Sequence, residues 1–243
     1  MENKNSNLIP FLILGIALIL CSVIFVSAWR ANYSSNQTIT VTGSAKKDIV
    51  SDLGILRGTI TVEAPTAEQA YQELKRQKPI LISYLVSNGF PEKEIEFFTM
   101  NSYPIFEISA SGYQTKKVRA YNYNQRMEIK SSDVNKIKSI SLDIPSLIEK
   151  GVSFTVEMPD YHYTKIADVK IEIQAEAAKD AMNRATKIAL STARELGPMR
   201  SARMGVIQIT PRLSNQVSDY GVNDLSSIDK EITAVVTASF ERE

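Results

Sequence analysis

From position 8 to position 28 the chain carries no charged residue. As a helix, rising 1.5 Å per residue, this run reaches roughly 30 Å, the thickness of a bilayer's hydrocarbon core. A helix is also what lipid demands, because it satisfies its own backbone hydrogen bonds. Trp29 and Arg30 follow, an aromatic and a cation suited to the membrane interface. The expected organisation is therefore an N-terminal tail at 1–7, a transmembrane signal anchor at 8–29, a polar linker at 30–37 and a folded domain at 38–243. The bilayer is then one partner, through residues 8–29. An alternative stays open: Val26-Ser27-Ala28 matches a small-residue cleavage site, which would make the segment a removable secretory signal. Leu20 precedes Cys21 where a lipoprotein signal needs a small residue, which argues against lipidation. Lys4 and Arg30 flank the run almost evenly, so charge bias does not orient it. The short tail favours the arrangement with residues 31–243 outside the cytoplasm.

Behind the apolar run about 210 residues remain, enough for one large domain or two small intertwined ones. Short connections between the elements favour one. The net charge of +1 provides no general attraction to nucleic acid. The single cysteine, Cys21, lies in the apolar run. An intrachain disulfide is thus ruled out, and the rest of the chain has no thiol for redox or nucleophilic chemistry.

Alternating β-branched residues predict a strand at 38–42, broken by Gly43-Ser44, and a second strand at 49–63. Thr66 with Gln69 three residues later forms a capping-box pattern that opens a helix. Ala67, Ala70, Leu74, Leu81 and Leu85 mark its buried face, Pro79 should kink it, and Asn88-Gly89 before Pro91 stops it. A strand follows at 95–100. Pro104, Ser109, Ser111 and Gly112 make 101–114 a hairpin loop or strand end. The clearest strand is 121–129, where Tyr121, Tyr123, Gln125, Met127 and Ile129 alternate with polar residues. Asp133 caps a helix bearing Val134, Ile137 and Ile140, which Pro145 interrupts and Gly151 ends. Strands are expected at 152–158 and 166–174, the latter from Val169, Ile171 and Ile173. A long helix is expected from about 175 to 196, with Ala178, Ala181, Ala185, Ile188, Thr192 and Leu196 buried and Gly197-Pro198 as its stop. Two last strands fall at 203–211 and 230–241, the second with Ile232, Ala234, Val236, Ala238 and Phe240 on one face. The Ser-, Asn- and Asp-rich stretch 213–228 reads as a mobile loop. Strand-strand-helix-strand-strand thus occurs twice, and 48–70 resembles 160–181. The fold class is α+β, two pseudo-repeated units with helices packed on antiparallel or mixed sheet.

Five stretches carry a family resemblance. They are Ile39-Thr40-Val41-Thr42-Gly43, the run Thr59-Ile60-Thr61-Val62-Glu63-Ala64 leading to Ala70, the strand at 121–129, Gly151-Val152-Ser153-Phe154-Thr155-Val156, and the Ala-rich helix ending at Gly197. Together they resemble the SIMPL-domain family of bacterial secreted and periplasmic proteins. The resemblance spans nearly everything behind the apolar run. One departure is local: many members carry a Lys-Pro-Asp turn near Lys46-Lys47-Asp48, and here no proline follows the lysine. The resemblance implies an exported α+β domain, a tendency of some members to form large homo-oligomers, and a loose link to envelope stress and surface functions. It implies no enzymatic activity, no catalytic, cofactor-binding or metal residues, and no cofactor.

Candidate chemistry is sparse. His162 is the only histidine, and in Asp160-Tyr161-His162-Tyr163 it reads as a loop residue rather than a triad member or metal ligand. Glu92, Glu94 and Glu96 alternate as a solvated strand edge would, rather than as a paired acid–base site. Lys116, Lys117 and Arg119 beside Tyr113, Tyr121 and Tyr123 suit a polar rim or oligomer contact better than a nucleic-acid face. The expected role is a non-enzymatic, self-associating structural or interaction module of the bacterial inner membrane, facing outward. A periplasmic protein results if the anchor is cleaved. The alternatives are a small-ligand or signal-binding domain, with 101–114 and 213–228 as its mouth, and an enzyme without recognisable motif.

Overall fold

The computed structural model describes residues 8–34 and 38–242. It is an α+β protein with four helices and antiparallel sheets among those residues. The chain falls into two compact units. One comprises Met1–Lys46, Lys170–Ile207 and Thr233–Glu243; the other comprises Lys47–Val169 and Gln208–Ile232.

Helix α1 runs Leu8–Ser34. Its described side chains are exposed, and it is long and apolar enough to cross a membrane. It continues through residues 30–34, which composition assigned to the linker; the expected tail at 1–7 and the linker's end at 35–37 lie outside the described residues.

The first unit holds a sheet ordered β1 (Thr38–Val50), β9 (Asp229–Arg242), β7 (Leu196–Met204), and most of α4 (Ile166–Ser191). Strand β9 alternates as expected, burying Ile232, Ala234, Val236, Ala238 and Phe240. Val41, Ala181, Ala185, Ala238 and Phe240 form this unit's core cluster. Strand β1 corrects an expectation: Gly43-Ser44 does not break it, and Lys46-Lys47-Asp48 lies within it rather than in a turn. Gly43 is glycine because α4 comes so close. A Cβ there would stand 2.2 Å from the Ala181 backbone nitrogen and 2.4 Å from the Ala177 carbonyl oxygen.

Helix α4 corrects the larger error. Residues 166–174, read as a strand, are its first turns, and it ends at Ser191 rather than 196. Its buried stripe is Val169, Ile173, Ala177, Ala181, Ala185 and Ala189, one residue every four. Ala178 and Ile188 point away from that stripe. The stop is made by Ala193 at φ 54°, with the Arg194 N–H donating to the Ala189 carbonyl. Gly197-Pro198 sits in β7 instead.

The second unit contains a five-stranded sheet. Its order is β3 (Ile95–Ile108), β4 (Gln114–Ser131), β2 (Leu53–Ala64), β5 (Phe154–Val156), with β6 (Asp160–His162) also pairing β2. The expected strand at 152–158 is trimmed to β5. Helices α2 (Ala67–Ser87) and α3 (Val134–Asp143) pack on β2 and β4. The Thr66 hydroxyl accepts from the Gln69 N–H at 3.2 Å, and an Asp133 carboxylate oxygen accepts from the Lys136 N–H at 3.0 Å. Both caps stand where the sequence pattern places them. Leu56, Ile60, Leu74, Leu81, Leu85, Met127, Ile129 and Ile137 make a dry core; each such side chain contributes about 2 kcal/mol by leaving water. The expected strand at 203–211 resolves into the end of β7 and β8 (Gln208–Pro211).

The stretch 213–228 is tied down rather than free. The Ile209 N–H donates to Val222, Asp224 to Ile209, Tyr161 to Leu225 and Ser51 to Ile228, at 2.7–2.9 Å.

Candidate functional site

Three features of the second unit go beyond folding requirements. The first is an arm. Strand β2 pairs with β4 only from Tyr121 onward. Before that point β4 has β3 alone, in the pairs Ile105 with Ala120, Phe106 with Val118 and Ile108 with Gln114. A turn closes the arm: the Ser109 N–H donates to the Tyr113 carbonyl at 2.8 Å, and Gly112 adopts φ 82°. Ile108 is 74% exposed and Tyr113 77%. Lys117 pairs with Glu107 at 2.8 Å and Arg119 with Glu63 at 2.9 Å. The stretch 101–114, expected as a hairpin loop or strand end, divides into both: 101–108 continue β3 and 109–113 form the hairpin turn. Pro104 fits inside the strand because β3 is the sheet edge, where proline is tolerated. A groove of about 530 Å³ runs along the arm between Ile105–Ile108 and Arg119.

The second feature is a buried ion pair. Lys230 shares the inward phase of β9 and is 2% exposed. Its Nζ donates to the Asp224 carbonyl oxygen at 2.5 Å and to the Asp224 carboxylate at 3.3 Å. That carboxylate also accepts from the Ser226 N–H at 3.0 Å, the Ser226 hydroxyl at 2.7 Å and the Ser227 N–H at 3.2 Å. Burial pushes the Asp224 pKa up, but the bonds from Ser226 and Ser227 and the charge of Lys230 outweigh it, holding the carboxyl at about 2. Burial also lowers the Lys230 pKa, against the pull of Asp224.

The third is a charge cluster on the sheet face opposite the core. Arg57 and Glu128 are cross-strand partners, and Arg57 Nε donates to Glu128 at 2.6 Å. Arg57 Nη1 donates to Asp160, and Lys130 holds the other Glu128 oxygen at 2.9 Å. Burial opposes ionisation of Glu128, yet the hydrogen bonds from Lys130 and Arg57 leave its pKa lowered.

His162 ends β6 and is half-buried, not a loop surface residue. Its Nε2 is buried with no hydrogen-bond partner. Glu92 and Glu94 lie on a 3-10 turn and Glu96 in β3, opposite Glu128; all three are exposed. Lys116, Lys117 and Arg119 lie on the arm with Tyr113, while Tyr121 and Tyr123 pack against the core. The basic residues and those two tyrosines therefore lie on different stretches of β4. Sequence reasoning missed Lys230, whose parity in β9 was a usable sign, and Asp224, which had none in a polar loop.

A family model, SIMPL, described as a protein of unknown function, matches residues 39–240. No curated protein matches the chain.

Proposed function

This chain belongs to the SIMPL family, and on that premise we propose that it is a membrane-anchored interaction module of the bacterial envelope. It self-associates through the β3–β4 arm and performs no catalysis. Helix α1 supports the anchor. In this reading residues 31–243 face outward from the inner membrane, or enter the periplasm if cleavage follows Ala28. The order of β1, β2, α2, β3, β4 and of β5, β6, α4, β7, β8 supports reading the domain as a pseudo-repeat.

The arm carries the proposal. A two-stranded ribbon is marginal in water, and this one exposes Ile108 and Tyr113 at its tip. Strand β3 also leaves one row of backbone donors and acceptors at the sheet edge. A second copy of β3, antiparallel across a two-fold axis, satisfies that row and covers the apolar tip with the same surface. Hydrogen exchange of the full chain in detergent tests this. Amides of 101–108 should become protected as protein concentration rises. Protection of that segment that is independent of concentration would sink self-pairing through the arm.

A further inference from the structure

Beneath residues 222–230, wholly within the second unit, lies a cavity of about 110 Å³. That volume holds several water-sized groups. Hydrogen bonds tie its walls together. The Asp224 N–H donates to the Ile209 carbonyl, the Ile209 N–H to the Val222 carbonyl and the Tyr161 N–H to the Leu225 carbonyl, and Lys230 donates to Asp224. Ile49, Ile166, Ile209 and Leu225 supply apolar lining.

The polar lining has a surplus of donors. Asp224 is the only acid there, and both its carboxylate oxygens are already engaged by Ser226, Ser227 and Lys230. Lys230 carries three N–H groups and directs its described bonds to Asp224 alone. Asn223, Tyr161 and Tyr163 each bring a further donor to the lining. His162 lines the same space, and its Nε2 is buried without a partner. An orphaned buried nitrogen is rare enough in folded proteins to need a reason. Donors beside a saturated carboxylate call for an acceptor-rich guest, and the small apolar wall limits its body to a few carbons.

Tyr161 also lines an open groove of about 660 Å³ together with Lys138, Arg212 and Asp229, and Arg212 is ion-paired with Asp48 at 3.1 Å. Leu213, on that groove, is 87% exposed and holds φ 64°, a backbone state that side chains rarely adopt. Strain of this kind gathers at ligand-handling segments.

We propose that this cavity binds a short-chain carboxylate, its carboxylate taking the free donors and its alkyl end lying against Ile49, Ile166 and Ile209. The site is independent of self-association.

His162 is the sole histidine, so isotope labelling of histidine gives one imidazole signal. The test uses the full chain in detergent, purified without a polyhistidine tag, titrated with sodium propionate. The expected result is a saturable shift of the His162 signal, with propionamide at least tenfold weaker and sodium chloride without effect. Ile166→Phe, which fills the cavity, should abolish the propionate shift while the chain still unfolds cooperatively. A shift that grows linearly without saturation, that propionamide reproduces, or that survives in folded Ile166→Phe overturns the proposal. If Ile166→Phe does not fold, the comparison of propionate with propionamide on the unaltered chain decides.

Discussion

Replacing Gly43 by alanine separates two accounts of that residue by the sign of the effect. Were Gly43 a mere break in an open strand, alanine would stabilise the chain by roughly 0.5–1 kcal/mol, since glycine loses more backbone entropy on folding. In the structure the new Cβ has nowhere to go. Ordinary contact begins near 3.4 Å, and the Ala181 nitrogen stands at 2.2 Å, a shortfall of 1.2 Å; the Ala177 oxygen, at 2.4 Å, adds a second clash. Both are backbone atoms, so no rotamer change relieves the strain, and α4 must move off β1 by about an ångström. A gap of that size forfeits a quarter to a half of each dispersion contact along the interface. The cost should reach about 3 kcal/mol, the upper end for overpacked cores. For a chain of this size that lowers the melting temperature by roughly 6–12 °C. Thermal unfolding followed by circular dichroism, on the full chain in detergent, measures it. Gly54→Ala is the graded comparison: its nearest neighbours are Ile137 Cγ1 at 2.9 Å and Cβ at 3.0 Å, a smaller shortfall against a side chain rather than backbone, so it should cost less than Gly43→Ala. A Gly43→Ala melting point equal to or above that of the unaltered chain would refute the close-approach account.

Lys230→Met should destabilise by about 3–5 kcal/mol, because Asp224 is left charged and buried; denaturant unfolding at pH 7 reads this, and adding Asp224→Asn should recover part of it. The Asp224 carboxyl, held at about 2 against an ordinary 3.8, contributes about 2 kcal/mol above pH 4. A carboxylate with a depressed folded pKa loses its contribution as pH falls, so stability should drop between pH 4 and 2, and Asp224→Asn should flatten that limb of the curve. Arg57→Lys should cost about 1–2 kcal/mol, since an ammonium cannot hold Glu128 and Asp160 as the forked guanidinium does; chemical denaturation checks it. Tyr220 is 97% exposed, so Tyr220→Cys in a Cys21→Ser background should react with a membrane-impermeant maleimide on intact cells, whereas labelling only after lysis would place the domain inside.

Much of the second unit was legible because its signals are local. Thr66 and Asp133 cap their helices through bonds spanning three residues, and the 121–129 alternation marks a strand with one face on the core. The failures share a physical cause. Val169, Ile171 and Ile173 alternate over five residues, too few to tell a strand from a helix. The four-residue spacing that decides the matter runs from Val169 to Ala189, mostly in alanines, whose weak hydrophobicity hides the stripe. Alanine is chosen there for closeness to Gly43, a tertiary demand that no local window reveals. Pro104 left 101–114 open between loop and strand end, because whether a strand is an edge depends on the whole sheet. The buried pair divides in the same way. Lys230 could be found by extending the β9 alternation one step past Ile232, whereas Asp224 is inward only because distant segments fold over it.

The mass of the full chain in detergent, by light scattering over a range of protein concentrations, tests the central claim most directly. The account predicts that the unaltered chain passes from monomer to one discrete multimer as concentration rises, while Ile108→Lys/Tyr113→Lys stays monomeric and still unfolds cooperatively, because both residues are exposed in the single chain. A monomer at every concentration for the unaltered chain, or a multimer unchanged by those two substitutions, would contradict it.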